Sequence, residues 1–257
     1  MKNLCILLLI FASFTAHAQK WSFELGAGYL YANPFGGMGD VIDYGHGGNL
    51  SFGGVTPTQR FVFGADVSYT QYDREKSTQQ YTLDDGTIAP MEMNVVSYYA
   101  NIMAYTRWYL STHGVVRPYL TGKVGYAMYA TDLNIYDPDD TDHCEPLEND
   151  ALYSDGTFIG SIGAGAKLDM VTFFRSLSPG TFYFESSVNL TQGGQVRYMN
   201  AEADHHQASH PGVVDHATAK FINTQTQIVH EHHVGYLYSN PVQMMELRFG
   251  FCWNFNR

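Results

Sequence analysis

The chain has 257 residues, with 25 acidic against 14 basic side chains and a net charge of −11 at neutral pH. This balance argues against nucleic acid as a partner, because binding it requires a basic surface. Aromatic residues make up 15% of the chain, the same share as all charged residues together. Beyond the N-terminal segment no run of 18 apolar residues exists, which excludes a membrane protein built from helices.

The N-terminal segment has the pattern of a secretory signal peptide. Lys2 precedes an apolar run from Leu4 to Phe14, and small residues stand at Ala16 and Ala18. The run is too short to cross a bilayer as a helix, which takes about 20 residues. We therefore expect a signal peptide at residues 1–18 and one domain at residues 19–257.

The rest of the chain alternates apolar and other residues with a period of two in eight segments, the pattern of strands with one apolar face. In chain order the predicted strands are Trp21–Tyr31, Gly48–Val55, Phe61–Tyr72, Val95–Leu110, Arg117–Leu133, Thr157–Met170, Thr181–Thr191 and Val242–Phe255.

Leaving aside Arg117 at a strand end and Asp132 near one, the charges within these strands avoid the apolar face. A charge facing lipid near the middle of a bilayer costs about 2 to 4 kcal/mol, whereas a charge inside a barrel can be paired. Nine charged residues fall on the opposite, inward register: Glu24, Asp66, Arg107, Lys123, Lys167, Asp169, Glu185, Glu246 and Arg248. The pattern predicts an all-β fold, an eight-stranded antiparallel up-and-down transmembrane β-barrel with an ion-pair cluster in its lumen.

The connections between these strands alternate strictly in length. Short turns follow the second, fourth and sixth strands, whereas long loops follow the others, at Ala32–Gly47, Asp73–Asn94, Asn134–Gly156 and Gln192–Pro241. Membrane barrels have short periplasmic turns and long extracellular loops. We therefore expect the outer membrane of a Gram-negative bacterium, with both termini in the periplasm.

These features resemble the small outer-membrane barrels of the OmpA, OmpX and OmpW type, the porin-like β-barrel families. The resemblance is carried by the signal peptide, by the glycine-alternating GSIGAGAKLD of the sixth strand and by the aromatic last strand MELRFGFCWNF. It implies lipid and lipopolysaccharide as surroundings. One departure is that Phe255, the aromatic expected at the end of such chains, is followed by Asn256 and Arg257.

Two interpretations of the lumen are open. An eight-stranded barrel is just wide enough for side chains to fill, and the inward register also carries bulky residues: Tyr99, Tyr105, Tyr109, Tyr119, Tyr129 and Tyr183. This favours a packed, ion-paired plug. The alternative is a gated narrow pore in which the basic residues exchange acidic partners.

The fourth long loop is rich in histidine, in ADHHQASH and IVHEHHVG. Imidazole is a ligand for zinc, copper and nickel. The candidate metal ligands are His205, His206, His210, His230, His232 and His233. Exposed histidine tracts often bind metals only loosely, however, and no spacing here is diagnostic. No other cofactor is expected.

Three functional hypotheses follow, none of them enzymatic. The histidines cluster in the fourth long loop, with His46 as the one exception near an outer strand end, and the candidate nucleophiles Ser186 and Ser187 lie in a strand without a histidine. In the first, the protein is a structural or accessory subunit of a larger outer-membrane complex and contacts other outer-membrane proteins through its long loops. In the second, it is an OmpW-like conduit for small solutes. In the third, the histidine-rich loop captures metal ions.

Overall fold

The computed structural model describes residues 21–82, 88–136, 148–174, 178, 180–200, 213–223 and 228–255. Apart from two 3-10 turns at Gly36–Met38 and Met170–Thr172, its regular elements are strands. They are β1 (Ser22–Pro34), β2 (Gly45–Val55), β3 (Phe61–Thr82), β4 (Ile88–Tyr109), β5 (Val116–Tyr136), β6 (Glu148–Asp169), β7 (Phe182–Asn200), β8 (Val213–Asn223) and β9 (Ile228–Phe255). No helix in this described part of the chain is long and apolar enough to cross a membrane.

Eight of these strands close into an antiparallel barrel. Each strand from β1 to β7 pairs with the next, β7 pairs with β9, and β9 returns to β1, with Phe23 opposite Phe255. The predicted fold class, an eight-stranded antiparallel transmembrane barrel, is therefore confirmed. β8 lies outside the barrel and, within the described residues, pairs with the first part of β9 alone.

The barrel wall is apolar outside and filled inside. Its outward residues include Val124 and Phe158, which are 67% and 78% exposed, whereas all six inward tyrosines predicted from the sequence are buried. Outward aromatic residues form two girdles, one with Phe61 and Trp108 and the other with Tyr69 and Tyr98. Aromatic girdles of this kind mark the two interfaces of a bilayer.

The two ends of the barrel differ. The end with the short connections 56–60, 110–115 and 170–181, called the turn end here, also holds the first residue of β1 and the last of β9. At the opposite end, the loop end, the strands continue far beyond the girdle. Because about ten tilted residues cross a bilayer, roughly half of each 22-residue strand stands above it.

The predicted loops Asp73–Asn94 and Asn134–Gly156 are wrong in large part, because β3, β4, β5 and β6 run through most of them. The predicted loop Gln192–Pro241 likewise contains the end of β7, all of β8 and the start of β9. Beyond the bilayer neither face of a strand has to be apolar. The alternating pattern therefore ends at the membrane surface, although the strand continues.

The extensions form two packed layers, called the loop-end sandwich here. One layer contains residues 72–82, 88–97, 131–136 and 148–158, and the other contains residues 195–200, 213–223 and 228–241. Between them lies a buried apolar cluster with Met91, Met93, Val95, Leu133 and Ile135 from the first layer and Met199, Val234 and Leu237 from the second. The barrel therefore carries a second hydrophobic core above the membrane.

Candidate functional site

Two groups of ion pairs cross the lumen, and the first lies toward the turn end. Arg107 of β4 donates to Glu24 of β1 and to Glu185 of β7, both at 2.7 Å. Lys167 of β6 lies 2.7 Å from the other Glu24 oxygen and 3.7 Å from Glu185. The Arg107 guanidinium also covers the Tyr119 ring at 4.4 Å. This turn-end cluster ties together four strands that do not all neighbour one another.

The second group, the middle cluster, joins β3, β5 and β9. Nη1 of Arg248 donates to both Asp66 oxygens at 2.7 and 2.8 Å, and its Nη2 donates to Glu246 at 2.8 Å. Lys123 lies 3.5 Å from Asp66. The Tyr99 hydroxyl donates to the remaining Glu246 oxygen at 2.9 Å. Every charged group in the cluster is thus both buried and paired.

Each cluster contains two acids and two bases, so each is electrically neutral. The cavity beside them is lined by Arg107, Lys123, Glu185 and Arg248 among others and has a volume of about 30 Å³. That is room for about two water molecules. Between the two clusters the described side chains therefore leave space for a few water molecules.

Asp169 is the exception among the nine predicted lumen residues. Its carboxylate accepts hydrogen bonds from the backbone N–H groups of Val171 at 3.1 Å and Gly180 at 2.9 Å. Gly180 has a φ of +81°, which a turn requires and glycine tolerates. Asp169 caps the connection between β6 and β7, and its predicted place in the ion-pair cluster is wrong, because it stands at the last position of its strand.

Side chains also close the loop end of the lumen. Tyr99 and Tyr129 stack at 5.5 Å, and Tyr129 contacts Tyr198 at 6.1 Å, which in turn stacks on Tyr238 at 6.0 Å. Met38, from the connection after β1, is buried in the same cluster. Burial raises the pKa of the Tyr198 phenol above its ordinary value, and the phenol accepts a hydrogen bond from the Asn240 amide at 2.9 Å.

Tyr198 and Tyr238 belong to the second layer of the sandwich, which crosses the mouth of the barrel. Tyr198 pairs with Tyr238 and packs on the lumen cluster, whereas the next pair, Met199 and Leu237, packs on the first layer. Both faces of this part of β7 and β9 are therefore buried. The sequence analysis did not predict that β7 and β9 cover the mouth of the barrel. The alternation of Met91, Met93 and Val95 was a signal for the apolar face on which they pack.

β7 reaches the mouth because it leaves β6. Their pairing ends at Ile159 and Gly193, where β7 has a bulge between Gln192 and Gln195. A Cβ on Gly193 would lie 2.6 Å from the Ile159 side chain, so only glycine allows this close departure. Above the separation, the Asp155 carboxylate of β6 accepts a hydrogen bond from the Arg197 N–H of β7 at 2.8 Å.

The predicted metal ligands fall at or beyond the limits of the description. His205, His206 and His210 lie outside the described residues. The backbone of His230, His232 and His233 is in β9, opposite Phe221, Ala219 and Thr218 of β8, but their side chains are not described. Among the described side chains, no three histidine, cysteine or acidic residues are grouped to hold a metal ion. Metal binding stays a prediction.

Comparisons with known proteins give fold likenesses alone. No model of a known protein family matches the chain, and no curated protein matches it. Solved structures that match include the Neisserial surface protein NspA, with 12% identity, 91% of this chain and 97% of that chain covered and a TM-score of 0.46. The major outer membrane protein from Thermus thermophilus matches with 11% identity, coverage of 90% and 99% and a TM-score of 0.47.

OprG from Pseudomonas aeruginosa, another outer membrane protein, has 10% identity, coverage of 92% and 96% and a TM-score of 0.43. Similarities this distant say nothing about activity. The chain is similar to small outer-membrane β-barrels, and its assignment as an eight-stranded antiparallel barrel rests on its own strand pairing.

Proposed function

We propose that the protein is an integral outer-membrane β-barrel that acts without catalysis, as a structural or accessory subunit of a larger outer-membrane complex. The barrel is the anchor, and the loop-end sandwich is the surface that contacts other proteins outside the cell. The turn end, with both termini, faces the periplasm.

The observation that carries this proposal is the contrast between the two parts of the molecule. The lumen is crossed by two neutral ion-pair clusters and covered by buried tyrosines. The sandwich has its own apolar core, so its outer surface is preformed. Preformed surfaces bind at a lower cost in conformational entropy than loops that must order on binding.

The experiment is native purification of the tagged protein from outer membranes in mild detergent, with the stoichiometry of co-purifying proteins. We expect a stoichiometric membrane protein that is lost in Val214→Asp. Val214 is half exposed on β8, so this change adds a charge to the sandwich surface without disturbing its core. The control is Thr58→Asp in the exposed turn between β2 and β3, which leaves the sandwich unaltered.

Recovery of the wild-type protein as a bare monomer would refute the accessory role. Loss of the partner from both variants would also count against it, because the contact would then not depend on the sandwich.

A conduit for small solutes is the second candidate, and the separation of β6 from β7 favours it. Above Ile159 and Gly193 the two strands are no longer paired, so a solute could leave the barrel sideways through this gap. Asp155→Ala removes the carboxylate that holds Arg197 across this gap. If the protein is a conduit, vesicles that contain this variant should take up a small apolar solute faster than vesicles that contain the wild type. Equal uptake rates for the variant, the wild type and empty vesicles would exclude the conduit function.

A further inference from the structure

A polar cleft of about 410 Å³ opens at the loop end of the barrel. Its walls are the connection between β1 and β2, the first residues of β2, the part of β3 that bulges between Gln71 and Asp73, and Asn200 at the end of β7. Ligand sites typically have volumes of about 300 to 1,000 Å³. The cleft has no part in the ion-pair clusters of the lumen.

The floor of the cleft is held in place from below. Met38 and Ile42 are 1% and 3% exposed and anchor the connection in the mouth of the barrel. The Asn200 amide donates to the Val41 carbonyl at 2.6 Å, which fixes the same segment to β7. Asp40 and Asp43 lie on either side of the buried Ile42 and are both exposed in the cleft.

An aromatic platform borders this floor. The Tyr44 ring is 53% exposed and stacks on Tyr31 of β1, with centroids 5.9 Å apart and planes 24° apart. The His46 ring lies 6.4 Å from it. A tyrosine supported by a second ring presents a rigid apolar face at low entropic cost.

Hydrogen-bonding groups of both kinds surround the platform. The carboxylates of Asp40 and Asp43 accept, and within the described part of the chain neither forms an ion pair. The Gln71 amide both donates and accepts, and Arg74 donates through a guanidinium that is oriented by its 3.0 Å bond to Asn94. The carboxylate of Asp73 lines the cleft as well, so three acidic groups stand beside the Arg74 guanidinium. A simple cation or anion would be matched by groups of one sign, whereas this lining contains both.

We propose that this cleft binds a pyranose sugar. The hydroxyls of such a ring donate and accept at once, which matches the mixed lining, and its C–H face packs on an exposed aromatic ring such as Tyr44. The cleft opens next to Tyr31, level with the girdle of Tyr69 and Tyr98. In the membrane orientation proposed above, this is the headgroup level of the outer leaflet, so the sugar comes either from a glycolipid headgroup or from free saccharide.

The test is saturation-transfer difference NMR on the full-length protein in detergent, with glucose, galactose, glucosamine and N-acetylglucosamine as separate probes. We expect transfer to at least one sugar and an affinity at least fivefold weaker in Tyr44→Ala and in Asp40→Asn/Asp43→Asn. The matched control is Tyr126→Ala, which removes an equally outward tyrosine from β5, on another part of the wall. Its affinity should equal that of the wild type.

Absence of transfer to all four sugars overturns the proposal, as does binding that is unchanged in the cleft variants. Because free sugars are added in detergent, this result does not depend on the membrane orientation or on any protein partner. Competition by lipopolysaccharide micelles identifies a glycolipid headgroup as the source. Sugar binding that the micelles leave unchanged identifies free saccharide instead.

Discussion

Replacing Arg248 with methionine should destabilise the barrel strongly while leaving its shape nearly intact. Arg248 is 6% exposed, and its guanidinium neutralises Asp66 and Glu246, which are 3% and 0% exposed. After Arg248→Met, the two buried carboxylates of this cluster are left with one basic residue, Lys123, which lies 3.5 Å from Asp66. Breaking a buried ion pair by removing one partner costs about 3 to 5 kcal/mol, and we expect a loss of that size in the free energy of unfolding.

A double variant separates the unpaired charge from the lost packing. Glu246→Gln added to Arg248→Met leaves one acid and one base, so the double variant should be more stable than the sum of the single changes predicts, by about 1 kcal/mol or more. Urea unfolding in lipid vesicles, followed by tryptophan fluorescence, measures all three variants. The control is Arg60→Met in an exposed turn, which should change stability by less than about 0.5 kcal/mol.

The reasoning is refuted if Arg248→Met lies within about 1 kcal/mol of the wild type, since breaking a buried ion pair should cost about 3 to 5 kcal/mol. It is also refuted if the effects of the two substitutions simply add, because the charges of the middle cluster would then not depend on one another.

Three further perturbations address the wall, the membrane face and the sandwich. Gly125→Ala should cost about 1 to 3 kcal/mol of unfolding free energy, because its Cβ would overlap the backbone of β4, whereas Gly122→Ala on the same strand meets only one atom, at 4.0 Å, and should be nearly neutral. Val124→Arg should cost about 2 to 4 kcal/mol on the lipid face, whereas Val214→Arg, at a half-exposed position in the sandwich, should cost almost nothing. Met93→Ala should open the buried sandwich core to trypsin while the barrel stays protected.

Each of these has a clear contrary result. Equal stabilities of the two glycine variants would mean that the strands are not as close as the register requires. If the two arginine variants lost equal amounts of unfolding free energy, the girdles would not mark the two interfaces of the membrane. Cleavage spreading through the whole chain in Met93→Ala would show that barrel and sandwich unfold together.

The sequence determined the barrel because lipid imposes a rule on every strand that crosses it. An apolar residue must stand at alternate positions, and a charge must point inward, so Glu24 and Arg107 could be assigned to the lumen without a structure. Strict alternation of short and long connections then required an even number of strands. The predicted strand ends were wrong above the bilayer, as at Asp73, because residues there do not face lipid and need not alternate.

Only the tertiary structure decided which groups meet. The partners of Arg107 stand 83 and 78 residues away along the chain, and nothing in the local pattern selects Glu24 and Glu185 over the other lumen acids. The same holds for the cover over the mouth, which depends on where β7 leaves β6. Whether a side chain points inward follows from its position in the alternating pattern of its own strand. Which side chains meet across the lumen depends on the closure and stagger of the whole barrel.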